Sequence, residues 1–179
     1  LEDWPPPKAH YVPYYMHGKG SANTLHGDGT LSTVPPDDEP ADTYTYDPED
    51  PVPSLGGNNL AIPLGVEDQR PVEGRPDVLV FTSDPMERPL EVTGPIKVHL
   101  WAATTAPDTD FTAKLVDVHP DGYALNLQDG ILRARYRDSG IHPTPVEPGK
   151  AYEYTIDLWA TSNVFLPGHS IRVEISSSN

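Results

Sequence analysis

An all-β fold, an antiparallel β-sandwich with little helix, is what this sequence predicts, and three observations predict it. Twenty-two prolines and 14 glycines are spread through 179 residues. Each proline removes an amide donor and fixes φ, which argues against long helices and favours short strands joined by rigid turns. Apolar and polar residues alternate over 96–101, 152–158 and 171–175, the period of a strand with one buried face. Turn signals, among them His119-Pro120-Asp121-Gly122 and Glu147-Pro148-Gly149-Lys150, separate such stretches at strand spacing.

The chain reads as one domain with two textures, residues 1–77 supplying the first strands and long loops and residues 78–179 the main strands. A mass of 19.6 kDa is enough to bury a sizeable core. Residues 1–60 hold ten prolines, ten acidic residues and two basic ones, so a disordered arm is the plain alternative there. Against it stand Trp4, Leu31, five tyrosines and the run Leu60-Ala61-Ile62, which need a surface to bury against. Tyr11–His17 is a first strand, irregular or at an edge because of Pro13. Asp42–Tyr46 alternates and is a candidate short strand.

From Val78 the strand signals strengthen. Val78–Thr82 is apolar and β-branched, and Gly94-Pro95 interrupts the run from Leu90 as a bulge or bend. Phe111–Val118 leads through the Pro120–Gly122 turn to Tyr123–Leu127. Ile131–Arg137 is a further strand with Arg133, Arg135 and Arg137 on one face. The last two strands are Tyr152–Leu158 and Ile171–Ile175. Ile96, Val98, Leu100, Leu115, Tyr154, Ile156, Val173 and Ile175 are the expected core. The start Leu1–Pro7 lacks the basic and apolar regions of a leader, and Ser176–Asn179 follows a strong strand with no closing element, so the chain reads as a piece of something longer.

A net charge of −15 argues against nucleic acid and against an anionic membrane surface. No apolar run approaches the 18 residues of a membrane span. With no cysteine there is neither a disulfide frame nor a thiolate metal site, and the compartment stays unknown.

Chemistry-bearing motifs are sparse. Gly168-His169-Ser170 lacks the second glycine of a nucleophile elbow and opens a strand, so Ser170 reads as a strand residue. Asp108 and Asp110 invite a calcium reading, helped slightly by Asp117, Asp121 and Asp129, but two carboxylates at this spacing more simply cap a turn. The seven histidines show no paired ligand spacing, so no zinc site is expected. Tyr152 and Tyr154 fit a carbohydrate-binding face or, with Ile156 and Leu158, a core face. The three arginines fit an anion site or ion pairs with neighbouring acids. In Ser54–Leu60 two glycines permit close backbone approach to a ligand or partner, or simply form a surface loop.

Beyond these motifs the chain resembles a known family. The stretch Ala106–Tyr136, with Gly27–Ser32, Tyr46-Asp47-Pro48, Pro51–Gly57 and Asn163–Asn179, resembles the carboxy-terminal domain of the CocE/NonD serine hydrolases, the acyl esterase, α-amino-acid ester hydrolase and X-prolyl dipeptidyl-peptidase group. The resemblance implies a jelly-roll sandwich of the galactose-binding type packed beside an α/β-hydrolase domain of the same polypeptide. It puts the catalytic Ser, Asp and His upstream, so no catalytic residue is assigned in this chain, and neither cofactor nor metal is expected. It also implies further strands beyond Asn179. Gly56, Gly57, Asn58, Asn59 and Leu60 are the implied substrate-pocket wall, where the two asparagines favour a peptide or amino-acid ester over an aromatic acyl group. A small ester or peptide is then met through the hydrolase domain, and association into a homo-oligomer is left open. The alternative function is a stand-alone module binding carbohydrate or another ligand.

Overall fold

Eight strands form two sheets that face each other across one apolar layer, in a computed structural model that describes residues 3–58, 60 and 64–178. The larger sheet has the order β1 (Tyr15–His17), β2 (Thr30–Ser32), β3 (Leu79–Ser83), β8 (Ser170–Ser176), β5 (Asp110–Val118), β6 (Ala124–Arg133). The smaller sheet pairs β4 (Leu90–Ala102) with β7 (Tyr152–Phe165). Pairing is antiparallel except between β2 and β3. One four-residue helix, α1 (Arg70–Glu73), and a 3₁₀ turn over Ala134–Tyr136 are the only helical elements among the described residues.

The layer between the sheets takes Phe111, Ala113 and Leu115 from β5, Ile171 and Ile175 from β8, and Tyr154, Ile156, Leu158 and Phe165 from β7. The Phe111 and Tyr154 rings meet at 4.7 Å between centroids, tilted by 48°. Leu115, Tyr154, Ile156 and Ile175 are buried as expected, whereas Ile96, Val98, Leu100 and Val173 are only partly buried against the same core. For the three β4 residues the reason is position: β4 pairs with β7 alone.

The sequence and the structure part at several places. Only Tyr15–His17 of the expected first strand pairs, because the proline at position 13 precedes it. Asp42–Tyr46 forms no strand. Its polar groups are taken by other partners, Asp42 accepting from the Ala22 amide at 2.8 Å and the Thr43 carbonyl from Asn23 Nδ2 at 2.8 Å. Trp4 is 53% exposed, so it does not find the burial its size calls for, and Ala61 and Ile62 lie outside the described residues.

The largest correction concerns 123–137. A single strand runs from Ala124 through Gly130 to Arg133, and the chain then turns into the 3₁₀ segment, so Arg133, Arg135 and Arg137 do not share one strand face. The sequence predicts one strand ending at Leu127 and another beginning at Ile131, with Gly130 between them. In the structure a Cβ there would collide with the backbone carbonyl of Asp157, so the glycine is where β6 passes closest to β7.

The central strands β5 and β8 are buried on both faces. The face away from β7 is covered by α1 and its flanks, with Val52, Val72, Val78 and Val80 forming a second small core. This second cover positions the candidate loop.

Candidate functional site

The loop that follows Leu55 is closed at its base by glycine backbone. Gly56, Gly57 and Gly65 have φ of +71°, +90° and +79°, a region that costs an L side chain free energy and glycine almost nothing. The Gly57 amide donates to the Gly65 carbonyl at 2.7 Å and the Gly65 amide returns a bond to Gly57 at 3.2 Å. A Cβ on Gly56 would strike the Gly65 carbonyl oxygen.

Side chains of β6 fix this base to the sheet. Asn126 accepts from the Glu67 amide at 2.6 Å and donates to the Gly65 carbonyl at 3.2 Å. Asn58 Nδ2 donates to Gln128 Oε1 at 3.1 Å, and Gln128 donates onward to the Ala160 carbonyl of β7 at 2.7 Å. Thus Gly56 and Gly57 form the base, and Asn58 is exposed although hydrogen-bonded to β6. Leu60 stands fully exposed, with Leu64 and Val66 more than half exposed after it. Asn59 lies outside the described residues.

Beneath the loop is a buried charged cluster that the alternation conceals, because Arg172 and Glu174 read as the solvent side of β8. Arg172 donates to Glu73 Oε2 at 2.7 Å and to Thr82 Oγ1 at 2.8 Å. Lys114 lies 3.4 Å from Glu174 and donates to Gln69 Oε1 at 2.7 Å. Gln69 in turn donates to the carbonyls of Leu55 and Glu67, both at 2.9 Å, one on each flank of the loop. Five buried polar side chains therefore carry the position of the loop base into the centre of the sheet.

Burial pushes the Glu174 carboxyl up to about 7, with Lys114 opposing the rise and Glu73 adding to it. A carboxyl raised above its unfolded value favours the folded state while it is protonated. That contribution is complete below the unfolded value near 4.5 and is lost as pH rises through about 7. The melting temperature should therefore fall between pH 5 and pH 8 more steeply in the native protein than in Glu174→Gln. Equal slopes would remove Glu174 as the source.

The surface candidates resolve into ion pairs. Arg133 holds Asp110 through two bonds at 2.8 and 2.9 Å, and Arg135 pairs with Asp108 at 3.2 Å while its amide donates to the same carboxylate at 3.0 Å. Both aspartates of the calcium reading are thus engaged by arginine. Arg137 lies over the Tyr152 ring at 4.1 Å. Tyr154 is fully buried in the core, and Ser170 is a buried strand residue paired with Val118.

One further cluster joins two neighbouring residues to a distant third. Asp117, His119 and His169 bring one potential ligand atom each to within 4.8 Å of the others. His169 Nδ1 lies 2.8 Å from Asp117 Oδ1, and the two imidazole rings are 4.3 Å apart. Asp117 and His169 are 52 positions apart in sequence. They meet because β5 and β8 are neighbours, so no spacing rule finds them.

Comparison with known proteins settles the family. The X-Pro dipeptidyl-peptidase C-terminal non-catalytic domain matches residues 1–179. This chain belongs to that family. As an X-Pro dipeptidyl-peptidase C-terminal domain it is 55% identical to the cocaine esterase of Rhodococcus sp. (strain MB1 Bresler) over 99% of its own length and 31% of the esterase's. A solved α-amino acid ester hydrolase shares the fold with a TM-score of 0.81 at 33% identity, covering 95% of this chain and 29% of that one. A solved aminopeptidase from a marine sediment Thaumarchaeota archaeon gives 0.80 at 34% identity, covering 99% and 30%. The domain thus spans about a third of the relatives it matches, which carry it on the same polypeptide as their catalytic domain.

Proposed function

We propose that this domain braces the catalytic α/β-hydrolase domain of its own polypeptide and that Gly56, Gly57, Asn58, Asn59 and Leu60 form one wall of the substrate pocket. The carrying observation is the loop itself: a rigid glycine base tied to β6 and Gln69, with a fully exposed leucine beyond it. Such an anchored apolar tip is suited to pack against an acyl group or a neighbouring domain. Asn58 stays exposed while bonded to Gln128, and Leu60 and Leu64 add exposed apolar surface beside it, which suits an apolar acyl group as well as the polar one that the sequence implied.

A bracing role is supported by surface area. The chain exposes 10673 Å², against roughly 8,600 Å² expected for a compact protein of this mass. Trp101 and Trp159, 70% and 73% exposed, lie on the β4–β7 sheet. Interfaces between domains of one chain occupy about 600–1,500 Å².

A wall residue shapes differential binding without supplying catalytic groups. In the full-length enzyme, Leu60→Ala should shift kcat/KM between an aromatic acyl ester and a small amino-acid ester by about 1–3 kcal/mol. Labelling by a small active-site phosphonate should be unchanged. Unaltered preference would leave the loop out of the pocket and the domain as a brace alone.

A further inference from the structure

We propose that Asp117, His119 and His169 form a binding site for a divalent transition-metal ion of the zinc type, with two imidazoles and one carboxylate as ligands. The inference is independent of the pocket-wall reading and shares no residue with it.

Three observations carry it. The three side chains already converge, each offering a ligand atom within 4.8 Å of the others. A bound ion would draw them together by small side-chain rotations, since ligands about 2.1 Å from a metal lie roughly 3–4 Å from one another. Asp117 and His169 are buried, so the carboxylate and imidazole are partly stripped of competing water. The hydrogen bond between them orients that pair when no ion is bound.

The third observation is rigidity of the backbone beneath each ligand. Asp117 is inside β5 and pairs with Ile171 of β8. His119 begins the hairpin turn, its amide donating to the Tyr123 carbonyl and its carbonyl accepting from Gly122, both at 2.8 Å. His169 is held by its amide to Leu166 at 3.0 Å and by its carbonyl to the Met86 amide at 2.7 Å. Ligands on fixed backbone lose little conformational entropy on binding.

His119 distinguishes a metal site from an ordinary buried Asp–His pair. Its ring lies against His169 and edge-on to Tyr123 at 6.2 Å, and among the described residues its ring nitrogens have no hydrogen-bond partner. Two adjacent imidazoles and one carboxylate suit zinc, cobalt or nickel, whereas calcium and magnesium require more oxygen ligands. Three protein ligands leave a coordination position for water.

The test uses the full-length, tag-free, chelator-treated polypeptide. Calorimetric titration with zinc chloride should give one ion per chain, with His119→Ala and His169→Gln each weakening it about tenfold or more. Cobalt(II) should produce visible absorption bands that His119→Ala abolishes and that excess calcium or magnesium leaves in place. His119→Ala is the decisive variant, because this half-buried turn side chain is outside the core and the metal-free melting temperature should match the native one. Zinc should raise the melting temperature of the native protein and not that of His119→Ala. Absence of both zinc heat and cobalt bands overturns the proposal. So does binding that His119→Ala leaves unchanged.

Discussion

Arg172→Met is expected to destabilise the domain by about 3–5 kcal/mol, because it strands a buried carboxylate. Glu73 is fully buried and its Oε2 accepts from Arg172 at 2.7 Å, while its Oε1 has no partner among the described residues. Removing the guanidinium leaves that charge in a low dielectric beside Glu174, which is itself held partly protonated. Denaturant unfolding should show the loss as a lower midpoint. Adding Glu73→Leu should restore much of it, since replacing both members of a buried pair by apolar groups is often neutral or favourable. A single mutant within about 1 kcal/mol of native would mean that the pair is solvated and clamps nothing. A domain usually has only about 5–15 kcal/mol of stability in total. The single mutant should therefore also loosen the 56–65 loop base, whose anchor Gln69 belongs to the same cluster.

Phe165→Ala should cost a similar amount, about 3–5 kcal/mol, through a different mechanism. Phe165 ends β7 opposite Leu90 and is fully buried in the layer between the sheets. Truncation removes its apolar burial and leaves a cavity lined by a rigid ladder that cannot collapse into it. The neighbouring Val164 is 45% exposed, so Val164→Ala is the matched control and should fall within about 0.5 kcal/mol of native. Equal melting temperatures for the two variants would contradict an inward-facing Phe165 beside an outward-facing Val164.

The β7 face was legible in sequence because Tyr154, Ile156 and Leu158 alternate with Glu153, Thr155 and Asp157, and alternation reports a sheet with one wet face. The same rule misread β8. Arg172 and Glu174 look like its wet face, yet both are buried under α1, their charges neutralised by residues far away in sequence. Charge at period two tells which side of a strand is polar, not whether that side meets water. The break expected between Leu127 and Ile131 failed for a related reason: Gly130 answers a close approach by Asp157, a contact with no local trace. Of the candidate loop, the paired glycines announced a special backbone. The hold on it by Asn126 and Gln128 of β6 and by Gln69 beside α1 was invisible, because most of those bonds join residues distant in sequence. The Asp117–His169 contact was hidden likewise, being made by strand pairing rather than by spacing.

The position of β8 has a consequence for how the chain acquires this shape. β8 is the last of the described strands, yet it lies at the middle of the large sheet, between β3 and β5. Until it is inserted, β3 and β5 each present an open edge, and the closing register joins Leu79 to Ile175. On a ribosome, where synthesis proceeds at about 5–20 residues per second, those edges stay unsatisfied for several seconds after β5 has emerged. Long-range strand pairing of this kind is slow, and open apolar edges invite pairing with other chains. The charged side chains on β8 then take on a kinetic sense: Arg172 and Glu174 keep the late-arriving strand water-compatible until Glu73 and Lys114 receive it.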